Sequence, residues 1–253
     1  MIQLKNAQEL AKMRRACQIS AEALKLGGRS IEAGMTTADL DKIIYDYIKR
    51  HGARPNFKGL YGFPGTACIS INDEVIHGIP SHSRQIRPGD IVSIDTGAAI
   101  NGFNGDNACT FPCGKVDIEA QRLMDVTKES LHRGIAAAVA GNRVGDIGHA
   151  VQSYVEENGF SVVRSFVGHG VGKELHEDPE VPNYGHAGHG VRLVNGMTIA
   201  IEPMVNQKHH SVKTLSDGWT VVTADGGLAA HFEHSIAILP SGPEILTIGW
   251  EEP

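Results

Sequence analysis

Four carboxylates and one imidazole stand in stretches of chain where a buried strand would normally admit neither: Asp95, Asp106, Glu202 and Glu233, with His169 lying between them in the sequence. Asp95 closes the run Gly89 to Asp95, and Glu202 closes the run Gly196 to Glu202, so a carboxylate is expected to end the same kind of strand twice. Just beyond Asp95, Asn101-Gly102 signals a tight hairpin. If that turn has two residues, Ile100 pairs with Phe103 and Asp95 sits opposite Ala108. Asp106 then falls on the face of Asp95 and diagonal to it, about 7–8 Å away at the backbone. Glu202 shares its face with Ala200 and Thr198, and Glu233 belongs to an expected strand from Ala230 to Ile238.

Carboxylates that converge repel one another, and each costs several kcal/mol to take out of water, so protons or cations must accompany them. With His169 added from the segment Gly168 to Lys173, one nitrogen and several oxygens suit two divalent ions about 3.5–4 Å apart. Oxygen-rich ligation favours Mn²⁺, Fe²⁺ or Co²⁺, and Zn²⁺ is compatible. Singly, each acid reads as a surface or capping residue; their paired placement is what argues for a site.

Other reactive-looking residues yield less. The segment Gly168 to Lys173 (GHGVGK) lacks both the leading glycine and the closing Ser or Thr of a phosphate-binding loop, so nucleotide binding is discarded. His209-His210 lies in a polar stretch and reads as solvated loop. Four cysteines, Cys17, Cys68, Cys109 and Cys113, are too sparse for a disulfide framework and lack paired zinc spacing, so reduced thiols are expected.

Positioning the acids falls to two halves that follow one plan, about residues 7–111 and 120–238. Each opens with a helix: Leu10, Met13, Cys17 and Leu24 mark an apolar face before Gly27-Gly28, which is expected to stop the first, and Ala120 to Leu123 echoes Ala7 to Leu10 in a helix expected to reach Gly141. A second helix follows each time. Thr36 or Thr37 can cap one bearing Leu40, Ile44 and Ile48, Asp146 can open one bearing Ile147 and Val151, and Gly52 and Gly159 close them. In the extended segments His77-Gly-Ile-Pro80 parallels His176-Glu-Asp-Pro179. Duplicated αβ units commonly make a pseudo-twofold domain whose matched residues meet at the axis. A single α+β catalytic domain over residues 1–253 is therefore expected.

The composition is that of an ordinary globular chain, 41% hydrophobic and 21% charged, and the net charge of −6 is spread without long runs of one sign. Nucleic acid and anionic membrane surfaces are excluded as partners on that basis. No stretch has the apolar core of a signal peptide or the length of a membrane span, which reads as a cytoplasmic protein.

The order Asp95, Asp106, His169, Glu202, Glu233 resembles the ligand set of the methionine aminopeptidase family. So do Ile69 to Pro80 (ISINDEVIHGIP), Asp95-Thr-Gly, Gly168 to Gly172, His176 to Tyr184 (HEDPEVPNY) and Ile201-Glu-Pro203. The resemblance runs nearly end to end. Without the helical insertion of type II relatives or an N-terminal zinc-binding extension, it is to type I. It implies a pita-bread fold, in which a curved antiparallel sheet is flanked by helices, and removal of the initiator methionine from nascent chains, mainly when the second residue is small. It makes Asp95 a ligand of one metal ion, Asp106 and Glu233 bridging carboxylates, and His169 with Glu202 ligands of the other. His77 would contact the substrate amide, His176 the scissile carbonyl, and Glu202 would act as general base. Leu60, Phe63, Cys68, Leu175 and Trp219 would line the methionine pocket, although many relatives carry aromatic residues in place of Leu60 and Leu175. A cytoplasmic monomer working close to the ribosome is implied. The rivals are an aminopeptidase P or prolidase, which shares the metal core but usually adds an N-terminal domain, and a non-catalytic pita-bread binding module.

Overall fold

Asn6 starts the first helix by accepting hydrogen bonds from the amides of Gln8 and Glu9, while the Glu9 carboxylate reaches back to the Asn6 N–H. The same device recurs at Thr36 with Asp39, and Asp146 accepts from the Arg143 amide at the fourth helix. The computed structural model describes residues 1–250; residues 251–253, included in the expected single domain, lie outside the described residues.

The chain opens with α1 (Ala7–Arg29) and α2 (Thr37–Arg50) and continues through β1 (Arg54–Pro55), β2 (Ala67–Ile71), β3 (Glu74–Ile76), β4 (Ile91–Ile100) and β5 (Phe103–Pro112). It then repeats the helix pair as α3 (Ile118–Ala137) and α4 (Val144–Glu157). Short strands follow: β6 (Ser161–Val162), β7 (Gly168–Gly170), β8 (Glu177–Val181), β9 (Thr198–Ile201), β10 (Met204–Asn206), β11 (Val212–Thr214) and β12 (Val221–Thr223). The last three are β13 (Ala229–His231), β14 (Glu233–Leu239) and β15 (Gly242–Ile245).

Among the described residues nine strands form one sheet in the order β1-β4-β5-β14-β9-β7-β8, with β2 also on β4 and β15 on β14; β13-β10-β6 and β11-β12-β3 are small separate sheets. The hairpin joining β4 to β5 turns at Asn101 and Gly102, both left-handed (φ 55° and 78°), as a two-residue turn requires. Ile100 opposes Phe103 and Asp95 opposes Ala108, the register expected from the sequence. No helix among the described residues is long and apolar enough to cross a membrane.

Several boundaries differ from expectation. α1 runs through Gly27-Gly28 to Arg29, because these glycines are packing positions: a Cβ on Gly28 would lie 2.3 Å from the Phe111 ring, and one on Gly27 would lie 3.1 Å from Ile44. α3 ends at Ala137, before Gly141, and α4 starts at Val144 with Arg143 at its N-cap and Asp146 in its first turn. Gly52 and Gly159 do follow α2 and α4 in left-handed conformation (φ 72° and 80°). All four cysteines are buried free thiols.

α1 lies across β4 and β5, and the contact depends on Gly105, where a Cβ would sit 2.5 Å from the backbone of Cys17. Rigid helix backbone cannot yield to that methyl. Gly105→Ala is therefore expected to destabilise the protein by about 1–3 kcal/mol, lowering the melting temperature by roughly 2–4 °C per kcal/mol. A melt within a degree of wild type would mean that α1 moves freely on the sheet.

Candidate metal centre

Consecutive antiparallel pairings set the acids in one row. Cys68 opposes Asp95, Asp95 opposes Ala108, and Ala108 opposes Glu233. Directly opposed residues share a sheet face, so Asp95 and Glu233 flank the Ala108 methyl. Asp106, two residues along β5, occupies the same face. β14 then pairs with β9, His234 opposite Ile201, which brings Glu202, the next residue, beside Glu233. β7 follows with Gly170 opposite Ile199, and places His169 Nε2 3.7 Å from both Asp106 Oδ2 and Glu202 Oε1. All five residues line one cavity of about 690 Å³.

Two expectations about these strands are corrected. Asp95 does not end its strand, because β4 continues to Ile100 through its hairpin with β5. The strand expected from Ala230 to Ile238 breaks at Phe232: residues before the break pair with β10 and those after it with β5 and β9.

Burial dominates the electrostatics of this row. Desolvation pushes Asp95 up to about 7 and Glu202 up to about 8. Asp106 and Glu233 rise well above the ordinary carboxylate range, first through desolvation and then through repulsion from the neighbouring acids. His169 moves the other way, to about 4, through burial and the nearby His176. Its Nδ1–H donates to the Gly170 carbonyl at 2.8 Å, which leaves the Nε2 lone pair facing the acids.

These groups fit a divalent cation. Asp95 Oδ1, Asp106 Oδ1 and Glu233 Oε1 are buried without a hydrogen-bond partner among the described residues, a costly arrangement unless a cation completes them. A ring nitrogen of His169 and one carboxylate oxygen each from Asp106 and Glu233 lie within 4.8 Å of one another. Glu202, His231 and Glu233 form a second such trio, and Asp95 belongs to neither.

His77 and His176 line the same cavity. His77 adopts a left-handed backbone (φ 60°), an uncommon conformation for a residue with a side chain and one concentrated at functional sites. Its ring meets both Phe166 and Trp219 edge-on, and burial holds it neutral, with a pKa of about 4. His176 stands 4.5 Å from His169, ring to ring, and burial lowers its pKa also. Phe63, Cys68 and Leu175 form an apolar cluster beside the row, with Leu60 and Trp219 against it. Phe63 and Trp219 meet edge to face at 5.1 Å.

The structure adds residues that sequence reasoning missed. Phe57 and Ile79 join the apolar cluster. Phe57 could have been found from its three-residue spacing to Leu60 and Phe63 on a tight turn. His231, 1% exposed, has its Nε2 3.4 Å from Glu202 Oε2. Its signal was its place two residues before Glu233.

A cavity floored by clustered acids and a histidine, set in a curled sheet with two helix pairs, defines a metallohydrolase. Residues 11–240 match the model of metallopeptidase family M24. The chain is 55% identical over 248 residues to the methionine aminopeptidase of Clostridium perfringens, an alignment covering 98% of this chain and 99% of that one. Among solved structures, the methionine aminopeptidase of Thermotoga maritima superposes with a TM-score of 0.96 at 45% identity, covering 98% of this chain and 99% of the other. A prolidase from Pyrococcus furiosus, 23% identical, shares the fold with a TM-score of 0.79; the match covers 97% of this chain and 65% of the prolidase. The chain belongs to metallopeptidase family M24 and, within it, to the methionine aminopeptidases of type I.

Proposed function

We infer that the protein removes the N-terminal methionine of polypeptides, acting on nascent chains in the cytoplasm and mainly on those whose second residue is small. The observation that carries this reading is the juxtaposition of partnerless buried carboxylates with an apolar pocket in one cavity. Asp95, Asp106, His169, Glu202 and Glu233 would hold two divalent ions, Mn²⁺, Fe²⁺ or Co²⁺, with Zn²⁺ compatible. Such ions, when bound, supply Lewis-acid polarisation of the scissile carbonyl and acidify water.

Every other step falls to the chain. Glu202, at the edge of the row, takes the proton of the attacking water and returns it to the leaving amine. His176 donates to the carbonyl oxygen as negative charge develops there, and His77 holds the adjacent peptide group. Phe63, Cys68, Leu175, Leu60 and Trp219 receive the methionine side chain, whose thioether suits soft and aromatic contacts. The acidic row attracts the free α-ammonium of the substrate, and a blocked terminus lacks that charge. We further propose that the two halves form one pseudo-twofold domain, that the protein is a monomer, and that it works near the ribosome.

Release of free methionine from Met-Ala-Ser, with no cleavage of an Xaa-Pro peptide, tests the reading; the reverse preference would make the protein a prolidase or aminopeptidase P. Metal binding without turnover on either peptide would instead indicate a binding module. His77→Ala and His176→Ala are each expected to lower kcat by about 10²-fold while metal content stays at the wild-type level. Metal loss in both variants, read by elemental analysis, would place these histidines among the ligands.

A further inference from the structure

We propose that His231 is a positioning residue for Glu202: its Nε2–H donates a hydrogen bond to Glu202 Oε2 and fixes the rotation of that carboxylate. The inference rests on the function proposed above, in which Glu202 carries the proton. The two oxygens of Glu202 are divided between two imidazoles. Oε1 lies 3.7 Å from His169 Nε2, and Oε2 lies 3.4 Å from His231 Nε2.

The two rings differ in which nitrogen carries hydrogen. His169 spends its N–H on the Gly170 carbonyl, so its Nε2 presents a lone pair. His231 Nε2 makes no hydrogen bond among the described residues, and Glu202 Oε2 is the carboxylate oxygen at ion-pair distance from it. With cations bound, Glu202 would be an ionised carboxylate, which only accepts. A bare Nε2 at that distance would set lone pair against lone pair, whereas a protonated one turns the approach into a hydrogen bond.

The ring is held there from its backbone. The His231 N–H donates to Thr110 Oγ1 at 2.9 Å, Thr110 Oγ1 donates to the His231 carbonyl at 3.0 Å, and Ser93 Oγ lies 2.8 Å from the same hydroxyl. With Ser93 donating, the Thr110 hydroxyl gives one hydrogen bond and accepts two, which uses its full capacity. His231 also pairs with Met204 in the β10–β13 ladder. The backbone therefore cannot turn the imidazole away from Glu202 without breaking both the hydroxyl clamp and the ladder.

The test compares H231L, H231N and H231Q. Glutamine carries an amide N–H to about the reach of Nε2; asparagine carries the same group one carbon short. H231L and H231N are expected to lose about 10–100-fold in kcat with KM within about twofold of wild type. H231Q is expected to recover most of the loss. Calorimetric Mn²⁺ titration gives a readout independent of turnover: affinity is expected to fall about 10-fold in H231L and to return in H231Q, at unchanged stoichiometry. Wild-type kcat and Mn²⁺ affinity in H231L would overturn the proposal, as would an H231Q as impaired as H231L. Loss of a metal equivalent in H231Q would make His231 a ligand and would also overturn it. If the wild-type protein released no methionine, the functional reading would fail while the Mn²⁺ titrations still decided whether His231 orients Glu202.

Discussion

Glu202→Ala is expected to lower kcat for methionine release from Met-Ala-Ser by about 10⁴-fold and to weaken metal binding at the same time. The carboxylate serves two ends of the reaction. One oxygen faces His169 and the acidic row, where it can ligate, and the other faces His231. Truncation removes the proton carrier, and it also takes away one of the donors around His169 Nε2, which would leave Asp106 and Glu233 to hold an ion with it. Glu202→Gln separates the effects, because an amide keeps a ligand oxygen but accepts no proton; it should lose most of the turnover and less of the metal affinity. Turnover of the alanine variant within tenfold of wild type, at full metal content, would move the general base elsewhere.

Stripping the protein with a chelator is expected to abolish turnover and to make stability fall as pH rises. In the metal-free protein Asp95 titrates near 7 and Glu202 near 8, and Asp106 and Glu233 well above the ordinary range, chiefly because burial penalises the charged forms. An unfolded chain ionises the same groups near pH 4. Below about pH 6.5 the buried histidines oppose this, because burial keeps His77 and His169 neutral down to about 4 whereas the unfolded chain protonates them near 6.5. Between about pH 6.5 and 8 the folded state binds more protons than the unfolded state, so stability is greatest at the acid end of that window. It is lost as pH climbs through the folded values, by about 1.4 kcal/mol per pH unit for each proton of difference. Bound cations allow the carboxylates to ionise in place and should flatten the dependence. Melting curves of stripped and Mn²⁺-loaded protein between about pH 6.5 and 8.5 check this. A stripped protein that becomes more stable toward pH 8.5 would show that these acids are solvated.

Much of the site was legible because it depends on local rules. The Asn101-Gly102 pair fixes a two-residue turn, and the turn fixes the register that sets Asp95 opposite Ala108 with Asp106 on the same face. Gly52 and Gly159 mark helix ends for an equally local reason, since a left-handed residue is needed there. What escaped depends on partners distant in sequence. Gly27 and Gly28 look like a stop signal until Ile44 and Phe111 are brought against them. The break at Phe232 arises because β10 captures one side of the run and the large sheet the other. His231 stood two residues before Glu233, a hint of proximity to the site, but nothing local tells that its ring will meet the Glu202 carboxylate, 29 residues away in the chain. Family resemblance supplied the methionine pocket, since an apolar cluster of this kind reads equally well as core.

Ala108 bears more on the chemistry than its size suggests. It lies between Asp95 and Glu233 in the row, fully buried, and offers only a methyl where any larger group would stand between the two carboxylates. The seat for the ions is thus partly written as missing volume, at a position with no reactive group of its own. A search for active-site positions that considers only polar residues will pass it by.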